Sequence, residues 1–267
     1  MCGRYALAKD PATLAEEFDA LDLVSGAESA WAGPEYNVTP TTTVVAVVDR
    51  HPRDQAGTPD ASRLQRSLRP MRWGLVPSWA KDMSVGNRLI NARAESLTEK
   101  PAFRRAAAGR RCLLPADGWF EWLREGTGKD AHKTPYFMTL PSGASLALAG
   151  LWETWRPGSG AHEAPLVSTT VVTVGSAGPL TELHHRMPLF LPAERWAAWL
   201  DPDRADPADL LVPPPTELLA EIEMRQVSSQ VNNVKNHGPE LVEEHRAEPE
   251  QAGLDLEAVG TGGSNLA

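Results

Sequence analysis

Apolar residues recur along this chain in short runs of two kinds. In PATLAEEFDALDL (11–23), Leu14, Phe18 and Leu21 fall at helical spacing behind Asp10, an N-cap type, and Pro11, a first-turn type. The pattern predicts a short amphipathic helix. The second kind is β-rich: TTTVVAVVD (41–49), SLRPMRWGL (67–75), RCLLP (111–115), GWFEWL (118–123), TPYFMTL (134–140), SLALAGLWE (145–153) and LVSTTVVTV (166–174). Runs of this length bounded by turn residues predict strands. The polar stretch from His51 to Ser67 predicts a long exposed loop. Helical patterns return at PAERWAAWL (192–200), ADPADLL (205–211) and PTELLAEIE (215–223). Helices thus flank a strand-rich middle instead of alternating with it. The expectation is an α+β fold with a largely antiparallel sheet or barrel-like core flanked by short helices. No repeat or linker interrupts residues 1–239, so one domain is expected over 1–242, followed by an acidic, disordered tail over 243–267.

The 267 residues suffice to bury a sizeable core. No run approaches the roughly 20 apolar residues of a membrane-spanning helix, and MCGRYALAKD lacks the apolar centre of a secretory signal. The expected location is cytoplasmic, with no membrane partner. Cys2 and Cys112 are too few for a disulfide framework and, without a CxxC spacing, fall short of a structural zinc site. No metal or other cofactor is expected.

The net charge of −9 counts against a nucleic-acid partner until its distribution is read. From Glu240 to Glu257, seven acids oppose the single Arg246, so much of the acidity lies in the tail. Between Arg88 and Arg111 the balance reverses: Arg88, Arg93, Lys100, Arg104, Arg105, Arg110 and Arg111 oppose only Glu95 and Glu99. That stretch is a candidate anion-binding segment, the alternative being a solvated helix face. Trp73, Trp79, Trp119 and Trp122 interleave with it, and aromatic faces beside arginines suit single-stranded nucleic acid. Trp152, Trp155, Trp196 and Trp199 read as core.

Cys2 follows the initiator Met directly, and removal of Met1 would leave an N-terminal cysteine. Such a residue offers an α-amine of reference pKa about 7.7 to 8.0 beside a thiol of about 8.5. An aldehyde meeting that pair can form an imine and then take the thiol at the same carbon, closing a five-membered thiazolidine. In DGWFEWL, Glu121 stands among aromatics, where desolvation raises a carboxyl pKa and suits it to acid–base work; a structural ion pair is the plainer alternative. LHHRMP places His184 and His185 before Arg186, and an extended chain would turn only one of these rings inward. In LINARAES, Asn91 could hold a substrate oxygen or amine, with Arg93 beside it for a phosphate. Cys112 lies in an apolar run and reads as a packing thiol.

MCGRY, YNVTP (36–40), MRWGLVPSWAKD (71–82), NARAES (91–96), KPAFR (100–104), RRCLLPADGWFEW (110–122), LHHRMP (183–188) and VNNVKN (231–236) together resemble the SOS response-associated peptidase (SRAP) family of abasic-site processing proteins. The resemblance runs in order from Cys2 to about Val242. It implies a protein that attaches covalently to abasic sites in single-stranded DNA during the DNA damage response, nucleoid-associated when bound, with the replication machinery as a further partner. It also implies Cys2 as nucleophile, Asn91 as the group positioning the cross-link, Glu121 as acid–base for opening the sugar, and His184 as a second proton carrier. Arg4, Trp73, Arg93, Trp122, Thr173 and Arg186 match positions lining the family's DNA groove. One departure stands out: His185 occupies the place where the family reads Asp. Two other functions compete, a thiol (auto)peptidase using Cys2 with His184, and a single-strand binding module without chemistry.

Overall fold

The computed structural model describes residues 2–25, 33–126, 132–157 and 164–245, so most of the expected acidic tail lies outside the described residues. In chain order the elements are β1 (Tyr5–Leu7), α1 (Pro11–Glu17), β2 (Leu21–Asp22), β3 (Glu35–Val38), β4 (Thr43–Arg50), β5 (Gln65–Trp73), β6 (Asn91–Arg93), α2 (Arg104–Ala107), β7 (Arg111–Ala116), β8 (Gly118–Glu125), β9 (His132–Thr139), β10 (Leu146–Trp155), β11 (Leu166–Gly175), β12 (Arg186–Pro188), α3 (Trp196–Leu200), α4 (Thr216–Ala220) and β13 (Glu223–Gln226). The β-branched runs form strands close to where their patterning places them. The helices are shorter than their patterns: α1 stops at Glu17, and residues 205–211 keep only a 3₁₀ turn, Ala208–Leu210. Asp10 caps α1 as expected, accepting from the amides of Ala12 and Thr13 at 3.0 Å each.

One sheet has the order β13-β9-β8-β1-β3; the other runs β12-β11-β10-β7-β4-β5-β2, with β6 beside β11. Most neighbours are antiparallel, but β5 also pairs with β11 in parallel, through Ser168↔Arg72 and Thr169↔Trp73. That pairing closes β4, β5, β11, β10 and β7 into a ring. Strand alternation then sorts the side chains. Val44, Ala46, Val48 and Arg50 of β4 share a face with Arg69, Met71 and Trp73 of β5, Cys112 of β7, Gly150 and Trp152 of β10, and Val167 and Thr169 of β11. This face is the interior. Cys112 Sγ reaches Thr169 Oγ1 at 3.3 Å past the intervening β10, where a Cβ on Gly150 would stand 2.8 Å from that sulfur. On the outer face, buried Arg111 donates to the carbonyls of Ala107, Trp199, Asp201 and Arg204, locking α3 to β7. Tyr5 of β1 packs on Trp73 with ring centroids 5.3 Å apart, so the smaller sheet lies over one end of the ring and carries the chain's first residues there. Among the described residues no helix is long and apolar enough to cross a membrane.

Candidate active site

The site begins with a strand register. In the β1–β8 pair Tyr5 stands opposite Trp119, and the Phe120 amide donates to Arg4 O at 3.0 Å, so the segment ahead of β1 runs on beside Glu121. Cys2 is fully buried there. Its thiol pKa is raised above the ordinary value, first by burial and then by the Glu121 charge. Burial likewise raises Glu121, and the positive charge of the chain's amino terminus pulls it partly back. The thiol and the carboxyl are thus neighbours in one buried pocket.

Asn91 arrives from the other sheet. β6 lies parallel to β11 with Asn91 opposite Val171, and Asn91 Nδ2 donates to Cys2 O at 2.7 Å. Asn91 Oδ1 is buried without a hydrogen-bond partner among the described residues, as are the Tyr5 hydroxyl and Trp119 Nε1. Unsatisfied buried polar atoms are uncommon and mark places where a further group can bind.

A cleft of about 1050 Å³ opens beside this cluster, lined among others by Arg4, Glu121, Trp122, Arg124, Lys133, His184, His185 and Asn232. The two histidine rings stack at 4.3 Å, His184 half-buried and His185 exposed. Both line the cleft where the chain bends before β12, and only His184 is turned inward, His185 lying at the surface as expected. His184 Nδ1 lies 3.0 Å from both the amide nitrogen and the carbonyl oxygen of Arg186, so this ring nitrogen is engaged by backbone in either tautomer. Burial lowers the His184 pKa, and His184 in turn lowers that of His185.

The expected groove residues divide. Arg4 and Trp122 are at the cleft, the Arg4 guanidinium 5.5 Å from the Trp122 ring centre. Arg93 is exposed on β6. Arg186 forms a two-pronged bond to Glu95 at 2.6 and 3.1 Å and also reaches Thr173 Oγ1 at 3.1 Å. Trp73 and Thr173 are buried: Trp73 Nε1 donates to Ile90 O at 2.9 Å and its ring faces Tyr5, so both residues support the site's framework from inside. Trp79 is 62% exposed, whereas Trp119 is wholly buried. The basic stretch from Arg88 to Arg111 does not form one surface, since it runs through β6, α2 and the start of β7, and Arg111 is internal. Cys112 is the buried thiol expected, its pKa pushed up to about 12 by desolvation.

Sequence reasoning left the 231–236 segment without a role. Buried Asn37 donates through Nδ2 to the carbonyls of Asn233 at 3.2 Å and Asn236 at 2.9 Å, while Arg4 donates to those of Val231 and Asn232. Asn232 Oδ1 then accepts from Trp122 Nε1 at 2.7 Å. The recurrence of amides in YNVTP and VNNVKN was the available signal, but only the fold shows that they meet.

The family profile described as SOS response associated peptidase (SRAP) matches residues 1–234. The abasic site processing protein YoqW of Bacillus subtilis (strain 168) is 35% identical over 248 residues, covering 92% of this chain and 100% of the relative. The abasic site processing protein HMCES of Pongo abelii is 33% identical over 240 residues, covering 78% of this chain and 64% of the relative. A crystal structure of a Bacteroides thetaiotaomicron protein superposes with TM-score 0.73 at 21% identity, covering 92% of this chain and 100% of that one, a likeness of fold.

Proposed function

Since this chain belongs to the SOS response associated peptidase (SRAP) family, we propose that it processes abasic sites in single-stranded DNA by forming a covalent thiazolidine between Cys2 and the opened deoxyribose. One observation carries the reading: Cys2, the Glu121 carboxyl and the Asn91 amide converge beside a cleft bearing Arg4, Trp122 and His184.

Met1 has to leave first, freeing the Cys2 amine. Glu121 then takes the proton of the C1′ hydroxyl and returns one to the ring oxygen as the ring C–O bond breaks, exposing the aldehyde. The α-amine adds to this carbon, water departs, and an imine remains. Cys2 Sγ adds to the imine carbon while its proton passes to the nitrogen, so the thiazolidine forms with net loss of one water. The raised thiol pKa supports this order: near neutrality the sulfur holds its proton, and the amine attacks before it. Asn91, by holding the Cys2 carbonyl, fixes the residue whose two nucleophiles must reach one carbon. His184, with Nδ1 engaged by backbone, presents Nε2 as the second proton carrier.

The rival thiol peptidase needs a thiolate of depressed pKa paired with an imidazole, and burial here drives the thiol the other way. A binding module without chemistry gives no use to a carboxyl desolvated beside a thiol. The test is intact mass after incubation with single-stranded DNA carrying one abasic site. An adduct that survives denaturation and has lost one water supports the proposal; absence of any adduct from a chain proven to begin at Cys2 refutes it.

A further inference from the structure

The end of the closed strand ring away from Tyr5 and Trp73 holds a second cavity, of about 220 Å³, which shares no lining residue with the Cys2 cleft. Leu23, Val48, Pro70, Met71 and Val167 form apolar walls, and Arg50, Arg69 and Trp152 complete the lining. Registers place Arg50, Arg69 and Trp152 on the interior face of the ring, at its mouth. Arg110, two residues before Cys112, joins the same rim: its guanidinium lies 5.6 Å from the Trp152 ring centre, and that of Arg50 lies 5.0 Å from it. Barrel mouths are recurrent ligand sites.

The charge at this mouth is unbalanced. Arg110 is paired with Glu153, and Arg69 Nε donates to Ser67 Oγ at 3.1 Å. Arg50 has no ion pair or hydrogen bond from its guanidinium among the described residues; its partner is the Trp152 ring. Burial lowers the Arg50 pKa, and the charges of Arg69, Arg53 and Arg110 push it the same way. Three guanidiniums held close, half-buried and answered by one carboxylate, are arranged to receive an anion in forked hydrogen bonds. Ring contacts with Trp152 fix two of them beforehand, which limits the entropy lost on binding.

We propose that this mouth is a second ligand site, which takes the phosphate group of a nucleotide between Arg50, Arg69 and Arg110 and seats its organic part on the apolar wall. The cavity is smaller than the roughly 300 to 1,000 Å³ of ordinary small-molecule pockets, so one nucleotide unit is the size class that fits. A free mononucleotide and a 5′-phosphorylated strand end share this chemistry. The site is independent of the Cys2 reaction, because it uses no residue of that cleft.

The test is calorimetric titration of the full-length protein with thymidine 5′-monophosphate against thymidine, and with an abasic-free thymidine tetranucleotide carrying a 5′-phosphate against its 5′-hydroxyl form. The phosphorylated member of at least one pair should bind about tenfold more tightly or better, and R50Q/R69Q should remove that preference. Preference within the first pair alone identifies a free nucleotide as the source; preference in the second identifies a strand end. Should the double variant fail to fold, phenylglyoxal modification of the wild-type protein with peptide mass mapping gives the answer, the preferred ligand shielding Arg50 and Arg69. No preference for phosphate in either pair, a preference unchanged in R50Q/R69Q, or no shielding overturns the proposal.

Discussion

Asn91 Nδ2 donates to the Cys2 carbonyl across a sequence separation of 89 residues, joining the segment ahead of β1 to β6, the short strand beside β11. The contact holds the Cys2 backbone carbonyl and not its sulfur, and so fixes the residue without engaging its thiol. The second amide atom, Oδ1, remains buried and unsatisfied among the described residues, a cost that a donor such as a bound sugar hydroxyl or a protonated imine N–H would offset.

Asn91→Asp removes the donor and adds a carboxylate near Glu121. Cross-linking should slow by about tenfold or more, the factor set by losing one hydrogen bond of about 1 to 3 kcal/mol, while affinity for intact single-stranded DNA stays within twofold of wild type, roughly 0.4 kcal/mol. Gel quantification of adduct against time, beside an anisotropy titration, separates the two. Equal losses in rate and affinity would make Asn91 a DNA contact instead.

Glu121→Gln should slow cross-linking by about 10² to 10⁴ with binding retained, since it removes the proton carrier and keeps the shape. The same variant reports on stability. The folded Glu121 pKa lies above its unfolded value, so the group favours the fold below about pH 4.3 and disfavours it as pH rises through the folded pKa. The melting temperature of Glu121→Gln relative to wild type should therefore climb between pH 4 and pH 7; a flat difference would mean the carboxyl is not desolvated.

Cys2→Ser should lose the stable adduct and Cys112→Ser should keep it, because Cys112 is enclosed in the ring against Thr169. Mass spectrometry of both variants under one set of conditions decides, and like behaviour would reverse the assignment of the two thiols.

Arg93→Ala should weaken DNA binding and lower the slope of log affinity against log salt by about 0.7, the value for one phosphate of a single strand. Arg186→Ala should act differently, lowering stability as well, since Arg186 ties Glu95 to the Thr173 hydroxyl. Thermal denaturation of the two variants distinguishes the exposed contact from the structural one.

Asn37→Ala should cost about 1 to 3 kcal/mol by leaving the Asn233 and Asn236 carbonyls without their buried donor. Hydrogen exchange should quicken in residues 231–236 before anywhere else, and cleft binding should fall through Asn232 and Trp122.

Local patterning was enough for the strands and for the start of α1 with its Asp10 cap, because β-branching and capping are properties of a residue and its near neighbours. It overextended the helices, α1 ending at Glu17 and the patterns at 192–200 and 215–223 keeping α-helix only over Trp196–Leu200 and Thr216–Ala220, since segments this short hold helix only where tertiary packing supports them. The family resemblance, not the patterning, named Trp73 and Thr173 as groove residues, and both side chains are buried in this fold. Only the parallel closure of β5 on β11 turns the interior-facing alternate positions of these strands inward, burying Trp73 under Tyr5 while lifting Arg50 and Arg69 to a mouth. The meeting of Asn91 with Cys2, and of Asn37 with residues 233 and 236, has the same origin. Both join segments far apart in the chain, Asn91 through the pairing of β6 with β11 and Asn37 through side-chain bonds to a non-strand segment, and such meetings are decided by how all the elements pack at once.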